Sequence, residues 1–191
     1  PYLVKTTDYG KTWASVAGNL PGKGHINALR EDYDNPNLLF VGTEFGLFVT
    51  VDGGREWKTF MTNLPSVRVD DILIHPRDRD LIVATHGRSF WIADDITPLE
   101  QLASAAGSAD LKLFEPRPAV QWKSDQEAQR HVTSRNFRGQ NPQGGTAFSF
   151  WARADMGDAK IEVLENNQVI RTISTTASAG MNRIQWDLQR D

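Results

Sequence analysis

Leu39-Phe40-Val41-Gly42-Thr43 is followed by Phe48-Val49, and the same arrangement returns as Leu81-Ile82-Val83-Ala84-Thr85 followed by Phe90-Trp91. The two copies lie 42 residues apart, and each is built from short apolar runs separated by turn residues. A repeat of roughly 40 to 45 residues with this pattern is typical of a propeller blade of four antiparallel strands. The repeat therefore predicts an all-β chain that contains propeller blades.

The repeat divides residues 1–114 into about two and a half four-stranded blades. Residues 26–65 form one complete blade, and residues 1–20 supply the last two strands of the preceding blade. Residues 67–96 supply three strands of the following blade, and Leu111–Phe114 is expected to be its fourth strand. Because closed propellers have at least about four blades, the sequence predicts a partial propeller whose ring is open.

After the blade repeat, the composition of the sequence changes. Residues 98–106 have the composition of a short helix or linker, and residues 115–145 are polar and rich in Pro and Gly, which predicts a long loop or linker. Four strand patterns return over residues 146–191, with Asn166-Asn167 as a hairpin turn between two of them. We expect a β-sandwich there, with fewer strands than the usual seven or so.

Composition excludes several kinds of site. The formal net charge is -3 and neither half of the chain is strongly basic, so no nucleic-acid partner is predicted. No apolar run approaches the roughly 18 residues that span a bilayer. The absence of cysteine excludes disulfides, Cys-based zinc sites and thiol nucleophiles. The chain opens on Pro1-Tyr2-Leu3-Val4 without Met, from which we expect a processed or truncated N terminus.

A turn motif occurs twice, as Thr6-x-Asp8-x-Gly10-x-Thr12-Trp13 and as Thr50-x-Asp52-x-Gly54-x-Glu56-Trp57. The Asp is expected to accept hydrogen bonds from backbone N–H groups of its own turn, and the Gly to adopt a positive φ. The Trp is expected to be buried between blades. Glu56 replaces the Thr, so the second turn should lack one side-chain hydrogen bond. The motif predicts a structural role for nine residues: Thr6, Asp8, Gly10, Thr12, Trp13, Thr50, Asp52, Gly54 and Trp57.

These motifs and the blade period resemble the Asp-box, or BNR, repeats of sialidases, sortilin-type receptors and many exported bacterial propellers. Residues 85–96 resemble the terminal blade of exported bacterial proteins of the glycosyl-hydrolase-like or sortilin-like type. Residues 180–188 resemble the closing strand of an immunoglobulin-like sandwich of the kind found in flagellar-hook assembly proteins. The resemblance implies a secreted, periplasmic or cell-surface protein, with an immunoglobulin-like domain over residues 146–191.

Blade geometry separates two groups of loops. Asp-box turns join the third and fourth strands of a blade, whereas the loops joining the second and third strands lie on the opposite face, where propellers usually bind ligands. In this chain those loops contain Glu44-Phe45-Gly46 and His86-Gly87-Arg88. We therefore predict Glu44, Phe45, His86 and Arg88 as binding residues. In the alternative interpretation, Glu44, His86 and Arg88 form a polar network that joins neighbouring blades.

The sequence predicts no catalytic residue, metal or cofactor. Most glycoside hydrolases require a pair of carboxylates, and only Glu44 is well placed. The histidines outside the predicted face have no metal-ligand spacing, and the acidic pairs have no calcium-loop signature. These are His25, His75 and His131, and Asp70-Asp71, Asp78-Arg79-Asp80 and Asp94-Asp95.

Three functions remain open. The first is a non-catalytic binding or assembly module of an exported bacterial protein, whose propeller face binds a carbohydrate, a peptide or a partner. The second is the C-terminal part of a propeller glycoside hydrolase whose catalytic carboxylates lie in other blades. The third is a peptide-trapping tunnel of the sortilin type. In each case the expected partners are the remaining blades of the same protein or other copies of the chain.

Overall fold

The computed structural model describes residues 2–105, 110–119 and 143–191. The chain divides into two compact units, residues 1–108 and residues 109–191. The described residues form fourteen strands and one helix, and every strand pairing is antiparallel. The predicted fold class is confirmed, because the chain is nearly all β and is consistent with a partial propeller followed by a β-sandwich. The long loop predicted over residues 115–145 lies largely outside the described residues.

The first unit contains three sheets with the strand orders β1-β2, β3-β4-β5-β6 and β7-β8-β9. Their strand numbers agree with the predicted half blade, complete blade and three strands of the next, and the four-stranded sheet is called the complete blade below. The strands are β1 Val4–Lys5, β2 Ala14–Ser15, β3 Ile26–Glu31, β4 Leu39–Thr43, β5 Gly46–Thr50, β6 Lys58–Thr59, β7 Val69–Ile74, β8 Leu81–Thr85 and β9 Phe90–Ala93.

The complete blade, β3 to β6, is buried on both faces. Successive residues of a strand point to opposite sides of a sheet, so every residue of β4 and β5 enters one of two interfaces and is buried. One face packs against the first sheet and the other against the third. The residues facing the first sheet include Leu39, Val41, Phe48 and Trp57, and those facing the third include Leu38, Phe40, Leu47 and Val49.

Polar bonds also connect the complete blade to the third sheet. Side chains from β3 and the loop after it donate to carbonyls along β7, the neighbouring innermost strand. These bonds run from Asn27 Nδ2 to Val69 at 3.2 Å, from Arg30 Nε to Ile72 at 2.8 Å and from Tyr33 Oη to Ile74 at 3.1 Å.

The two motif tryptophans differ in burial. Trp57 is 3% exposed, and its indole N–H donates to the carbonyl of Val16, in the segment that follows β2. Trp13 is 61% exposed, and its indole donates to Gly10 of its own turn. The prediction that Trp13 is buried is wrong. Apolar residues of the segment 16–20 pack against Trp57, whereas no segment of the described chain covers Trp13 in the same way.

Helix α1, Thr97–Ala105, ends the described part of the first unit. Its first residue is held by Asp95, whose Oδ1 accepts bonds from the hydroxyl of Thr97 at 2.6 Å and from its backbone N–H at 3.3 Å. This local capping satisfies a backbone donor that the helix itself leaves unpaired. The helix lies where the sequence predicts a short helix or linker. No described helix is long and apolar enough to cross a membrane.

The second unit has a sheet in the order β10-β11-β14 and a hairpin, β12-β13. The hairpin turn at Asn166-Asn167 is confirmed, with φ values of +51° and +64°, as a two-residue turn of this kind requires. Ring stacking of Phe148 on Trp186, with centroids 5.9 Å apart, supports the β11-β14 pair. The strands are β10 Leu111–Leu113, β11 Thr146–Ala152, β12 Gly157–Glu165, β13 Gln168–Ala177 and β14 Gly180–Trp186.

The position of β10 corrects one expectation. Leu111 pairs with Ala152 and Leu113 with Phe150, so β10 belongs to the sheet of the second unit. It is therefore not the fourth strand of the third blade, as the sequence predicted. The short segment Leu111–Leu113 could pair either with the third blade or with the sheet of the second unit. Only its observed pairing with β11 distinguishes the two positions.

Candidate ligand-binding face

The loops between the described strands of the first unit lie at the two ends of those strands, which form two opposite edges of the unit. Since neighbouring strands are antiparallel, β3 and β7 begin at the edge where the β4-β5 and β8-β9 loops turn. We call this edge the loop face. The two turns with the Asp-box-like motif, residues 6–13 and 50–57, lie at the opposite edge, with the β3-β4 and β7-β8 connections. We call them the Asp-box turns and that edge the Asp-box face. The predicted binding residues are all on the loop face.

Glu44 anchors the segment that precedes β3. Its backbone N–H donates to the carbonyl of His25, and its Oε2 accepts from the His25 N–H, both at 3.3 Å. The approach depends on Gly24, which has a φ of +90°, and a Cβ added there would lie 2.8 Å from the ring of Phe45. The Glu44 carboxylate is thus committed to a bond within its own blade.

The backbone of Phe45 is fixed by hydrogen bonds, whereas its ring is exposed. Its N–H donates to Thr43 Oγ1 at 3.1 Å, and its carbonyl accepts from Ser66 Oγ at 3.2 Å. The side chain projects from this turn with 52% of the residue exposed. An aromatic ring presented from a hydrogen-bonded turn can stack on a ligand at little conformational cost.

His86 takes part in an exposed charge cluster. Its Nδ1 lies 3.2 Å from Asp70 Oδ2, and Arg68 Nε donates to Asp70 Oδ1 at 2.6 Å. The backbone N–H of His86 also donates to the Arg68 carbonyl at 2.9 Å. With the His86 side chain 72% exposed, these pairs orient the imidazole more than they stabilise the fold.

Arg88 occupies the tip of the β8-β9 loop and is exposed. Its carbonyl accepts a bond from Trp91 Nε1 at 3.0 Å, and the Ser89 carbonyl accepts from Thr85 Oγ1 at 2.7 Å. The loop is therefore held from both sides. Among the described residues, none forms an ion pair with the Arg88 guanidinium, which is left to solvent.

The structure places the four predicted residues on one face, in two separate pairs. Glu44 and Phe45 share one loop, and His86 and Arg88 share the next. The polar contacts of Glu44 and His86 stay within their own blades, and no bond between described residues joins the two loops. The side-chain bonds from the complete blade to the third sheet start from β3 and from the loop after it, away from the β4-β5 and β8-β9 loops. The assignment of the four residues to ligand binding stays a prediction.

The Asp-box turns hold their carboxylates by internal hydrogen bonds. Asp8 Oδ1 accepts from the Thr12 N–H at 2.8 Å, and Asp8 Oδ2 accepts from the Thr12 hydroxyl at 2.7 Å. Asp52 Oδ1 accepts from the N–H groups of Arg55 and Glu56, both at 3.0 Å. No hydroxyl reaches Asp52 from position 56, so the expected loss of one side-chain bond is confirmed.

These bonds favour the charged carboxylates. Bonds from the backbone and hydroxyl of Thr12 hold the pKa of Asp8 down at about 2. At Asp52, burial acts to raise the pKa, but bonds from the Glu56 N–H and the Thr50 hydroxyl outweigh it, and the pKa lies below its usual value. Gly54 closes this turn with a φ of +92°, and a Cβ there would lie 2.5 Å from the Val16 carbonyl.

Asp52→Ala is expected to lower the free energy of unfolding at pH 7 by about 1 to 3 kcal/mol, because two backbone donors lose their acceptor. The folded pKa of Asp52 is depressed, so the carboxylate's contribution is present above the ordinary pKa of 3.8 and declines as pH falls below it. Urea unfolding at several pH values measures both effects. Glu56→Gln, in the same turn, is the control. A full destabilisation by Asp52→Ala at low pH would contradict the assignment.

An ion cluster that sequence reasoning missed lies on the Asp-box face. Arg79 Nη2 is 2.7 Å from both Asp32 Oδ2 and Glu100 Oε1, and 3.3 Å from Asp34 Oδ2. The Asp32 side chain is completely buried, and those of Arg79 and Glu100 are mostly buried. The cluster ties together the loop after β3, the turn before β8 and helix α1.

Burial and the attraction between opposite charges act against each other within the cluster. Burial acts to lower the pKa of Arg79, but its bond to Glu100 and the charges of Glu100, Asp32 and Asp34 hold it above the ordinary value. Burial raises the pKa of Glu100, against the attraction of Arg79. The three carboxylates lie within 4.8 Å of one another, and the Arg79 guanidinium supplies the positive charge among them.

The sequence offered little signal for this cluster. Arg79 was visible only as the middle of Asp78-Arg79-Asp80, an acidic turn without a calcium-loop signature. Its partners Asp32 and Glu100 lie 47 and 21 residues away along the chain. Their meeting depends on blade packing and on the position of α1, neither of which a local pattern predicts.

A model of a known protein family matches most of the chain. Residues 2–174 match the family model Sortilin-Vps10, described as sortilin, neurotensin receptor 3. The chain belongs to the Sortilin-Vps10 family. This membership agrees with the sortilin-type part of the resemblance seen in the sequence. None of the solved structures matches the chain significantly.

Individual relatives are distant and much longer. The chain is 24% identical over 147 residues to the vacuolar protein sorting/targeting protein 10 of Aspergillus flavus and to that of Aspergillus oryzae, a match covering 71% of this chain and 10% of each relative. It is 26% identical over 120 residues to a xyloglucanase of Hypocrea jecorina, covering 59% of this chain and 13% of the relative. The chain thus spans about a tenth of the length of these curated relatives.

Proposed function

We propose that this Sortilin-Vps10 chain is a non-catalytic binding module whose loop face holds a peptide segment of a partner protein. One observation carries the proposal: two hydrogen-bonded loops on one face present the exposed ring of Phe45 and the guanidinium of Arg88, which forms no ion pair with any described residue. Aromatic residues, Phe among them, and arginine are enriched at protein–protein interfaces relative to the rest of the surface. The blade scaffold beneath supplies a rigid support for both.

The acidic groups on this face are poorly suited to catalysis. A glycosidase of the usual kind needs one carboxylic acid and one carboxylate poised at the scissile bond. Glu44 is bonded to the His25 backbone, and Asp70 is paired with Arg68 and His86. Both carboxylates are engaged inside their own blades, which supports binding without chemistry.

A peptide fits the face better than a nucleic acid or a metal. The exposed ring of Phe45 suits an apolar residue of an extended peptide, and the Arg88 guanidinium suits a peptide carboxylate. The name of the Aspergillus relatives, a protein sorting/targeting protein, also favours a protein ligand. We further propose that the chain acts outside the cytoplasm, as a secreted, periplasmic or cell-surface module.

Peptide selection tests this function. Random peptides displayed on phage are selected on the intact chain, and the affinity of a selected peptide is then measured by calorimetry. Phe45→Ala combined with Arg88→Ala is expected to weaken binding at least tenfold, or about 1.4 kcal/mol. Tyr9→Ala combined with Lys11→Ala removes a ring and a cation from an Asp-box turn and is the matched control. Equal loss in both double variants would contradict the loop-face assignment.

A second candidate is supported by the likeness to the Hypocrea jecorina xyloglucanase. In this proposal the chain is the C-terminal part of a propeller glycoside hydrolase, and the catalytic carboxylates lie in other blades. Xyloglucan oligosaccharides are the probe. Binding of these oligosaccharides, abolished by Phe45→Ala, together with no binding of selected peptides at the loop face, would favour this candidate over the first.

The second unit is proposed to be an immunoglobulin-like spacer or docking domain. Its described strands form one sheet of three strands and one of two, in place of the usual seven strands or so. The buried positions Phe150, Ala152 and Ala177 come from both sheets, as a sandwich requires. The proposal assigns ligand recognition to the first unit alone.

A further inference from the structure

Asn27 and Asp70 occupy the same place in two neighbouring blades, but their side chains make different contacts. The register between β3 and β4 shifts at Asn27, and the register between β7 and β8 shifts at Asp70, so neither residue has a partner on the adjacent strand. An irregularity of this kind redirects the side chain away from the regular ladder. Both residues lie near the loop face, where β3 and β7 begin.

The chemistry of these two side chains determines what each of them binds. The Asn27 amide donates to the carbonyl of Val69, and this bond joins one blade to the next. An ionised carboxylate has no proton to donate, so Asp70 cannot make the same bond. Asp70 instead lies between two nitrogens of its own blade, with Arg68 Nε 2.6 Å from Oδ1 and His86 Nδ1 3.2 Å from Oδ2.

The contact with Asp70 determines which nitrogen of the His86 ring carries the proton. A neutral imidazole has one N–H donor and one unprotonated acceptor nitrogen. An unprotonated Nδ1 would place two acceptors against each other, whereas a protonated Nδ1 donates a hydrogen bond to the carboxylate. The Asp70 carboxylate therefore favours the Nδ1–H form of His86, in which Nε2 carries the lone pair.

Nε2 of His86 is available to a ligand. The His86 side chain is 72% exposed, and no hydrogen bond from the described residues reaches Nε2. The backbone N–H of His86 donates to the Arg68 carbonyl at 2.9 Å, and the Thr85 hydroxyl holds the same loop through the Ser89 carbonyl. The ring is thus fixed at Nδ1 and at its backbone, and Nε2 remains as a hydrogen-bond acceptor.

Arg88 on the same loop has the opposite hydrogen-bonding requirement. A guanidinium donates hydrogen bonds and accepts none. His86 and Arg88 are two residues apart, so this loop offers one acceptor and one set of donors to the same ligand. An extended peptide carries both N–H donors and C=O acceptors along its backbone, and it matches this combination.

We propose that His86 accepts a hydrogen bond from a backbone N–H of the bound peptide through Nε2, and that Asp70 is the positioning residue that fixes this role. This assignment rests on the proposed function, because it names the part of the peptide that His86 recognises. Arg68 supports the arrangement by holding the other oxygen of the Asp70 carboxylate and balancing its charge.

The proton position is tested first, by nitrogen NMR of the intact chain with isotope-labelled histidine and no peptide. At about pH 8, where an ordinary imidazole is neutral, the spectrum distinguishes the Nδ1–H, Nε2–H and imidazolium forms. His86→Phe identifies the His86 signal. The Nδ1–H form should dominate in the wild type, and Asp70→Ala should shift the ring to the Nε2–H form that an unconstrained imidazole prefers.

Asp71→Ala is the matched control for Asp70→Ala. It removes the same charge from the next residue, and the Asp71 carboxylate pairs with Arg30 and not with His86. The Nδ1–H form should therefore persist in this variant. A wild-type His86 in the Nε2–H or imidazolium form would overturn the proposal, because Nε2 would then be a donor.

The ligand is tested with a phage-selected peptide whose binding depends on Phe45 and Arg88. Its backbone N–H groups are replaced one at a time by ester oxygens, which removes the donor and preserves the shape of the chain. One ester should weaken binding to the wild type about three- to tenfold, the usual contribution of one hydrogen bond, and should leave binding to His86→Phe unchanged. If every ester weakens binding to both proteins equally, His86 accepts no backbone bond and the proposal is wrong.

Failure of the proposed function has a different signature. If no selected peptide depends on Phe45 and Arg88, the proposed function is contradicted, and the peptide bond assigned to His86 falls with it. The NMR spectrum of the chain without peptide still decides whether Asp70 fixes the proton on Nδ1. The two failures are therefore distinguishable.

Discussion

Arg79→Met is expected to lower the free energy of unfolding by about 3 to 5 kcal/mol, because it leaves the completely buried carboxylate of Asp32 without a countercharge. The same change removes the bond to Glu100 that ties α1 to the third sheet. Chemical denaturation followed by tryptophan fluorescence measures the loss. Arg77→Met is the matched control, since Arg77 lies two residues away, is largely exposed and pairs only with Asp78 among the described residues.

A companion variant separates the loss of the ion cluster from the loss of packing by the arginine stem. Adding Asp32→Asn and Glu100→Gln to Arg79→Met removes the uncompensated charges and should recover part of the lost stability. An Arg79→Met protein as stable as Arg77→Met would contradict the structural importance of the cluster. No recovery in the triple variant would assign the loss to packing.

Trp57→Ala is expected to cost about 3 to 5 kcal/mol, the usual effect of removing a large buried aromatic side chain. Trp57 fills the interface between the first two sheets, and its backbone N–H donates to Asn19 Oδ1 at 2.6 Å while its indole bonds to Val16. Thermal or urea unfolding of the variant measures the effect. Loss of the ring leaves a cavity lined by Leu3, Leu20 and neighbouring apolar residues.

Trp13→Ala provides the matched control, because the motif and spacing are the same and only the burial differs. With 61% of Trp13 exposed, the change should cost much less than Trp57→Ala in an isolated chain. Equal costs for the two variants at low protein concentration would contradict the difference in burial.

The sequence by itself determined the features that depend on contacts between near neighbours. The blade period predicted the pairing of β4 with β5 and of β8 with β9, because two short apolar runs separated by a few turn residues come together as an antiparallel hairpin. The Asp-box pattern predicted the bonds of Asp8 and Asp52, which stay within four residues of each carboxylate. Asn166-Asn167 predicted its turn for the same reason.

Only the tertiary structure decided which surfaces meet. Identical motif positions produced a buried Trp57 and an exposed Trp13, because burial depends on a neighbouring sheet and the motif describes only the turn. Strand β10 joined β11 across an interval of more than thirty residues, and a three-residue strand carries too little pattern to choose its partner. Arg79 formed its ion pairs with residues up to 47 positions away along the chain, since ion pairing depends on proximity in space and leaves no periodic signal in the sequence.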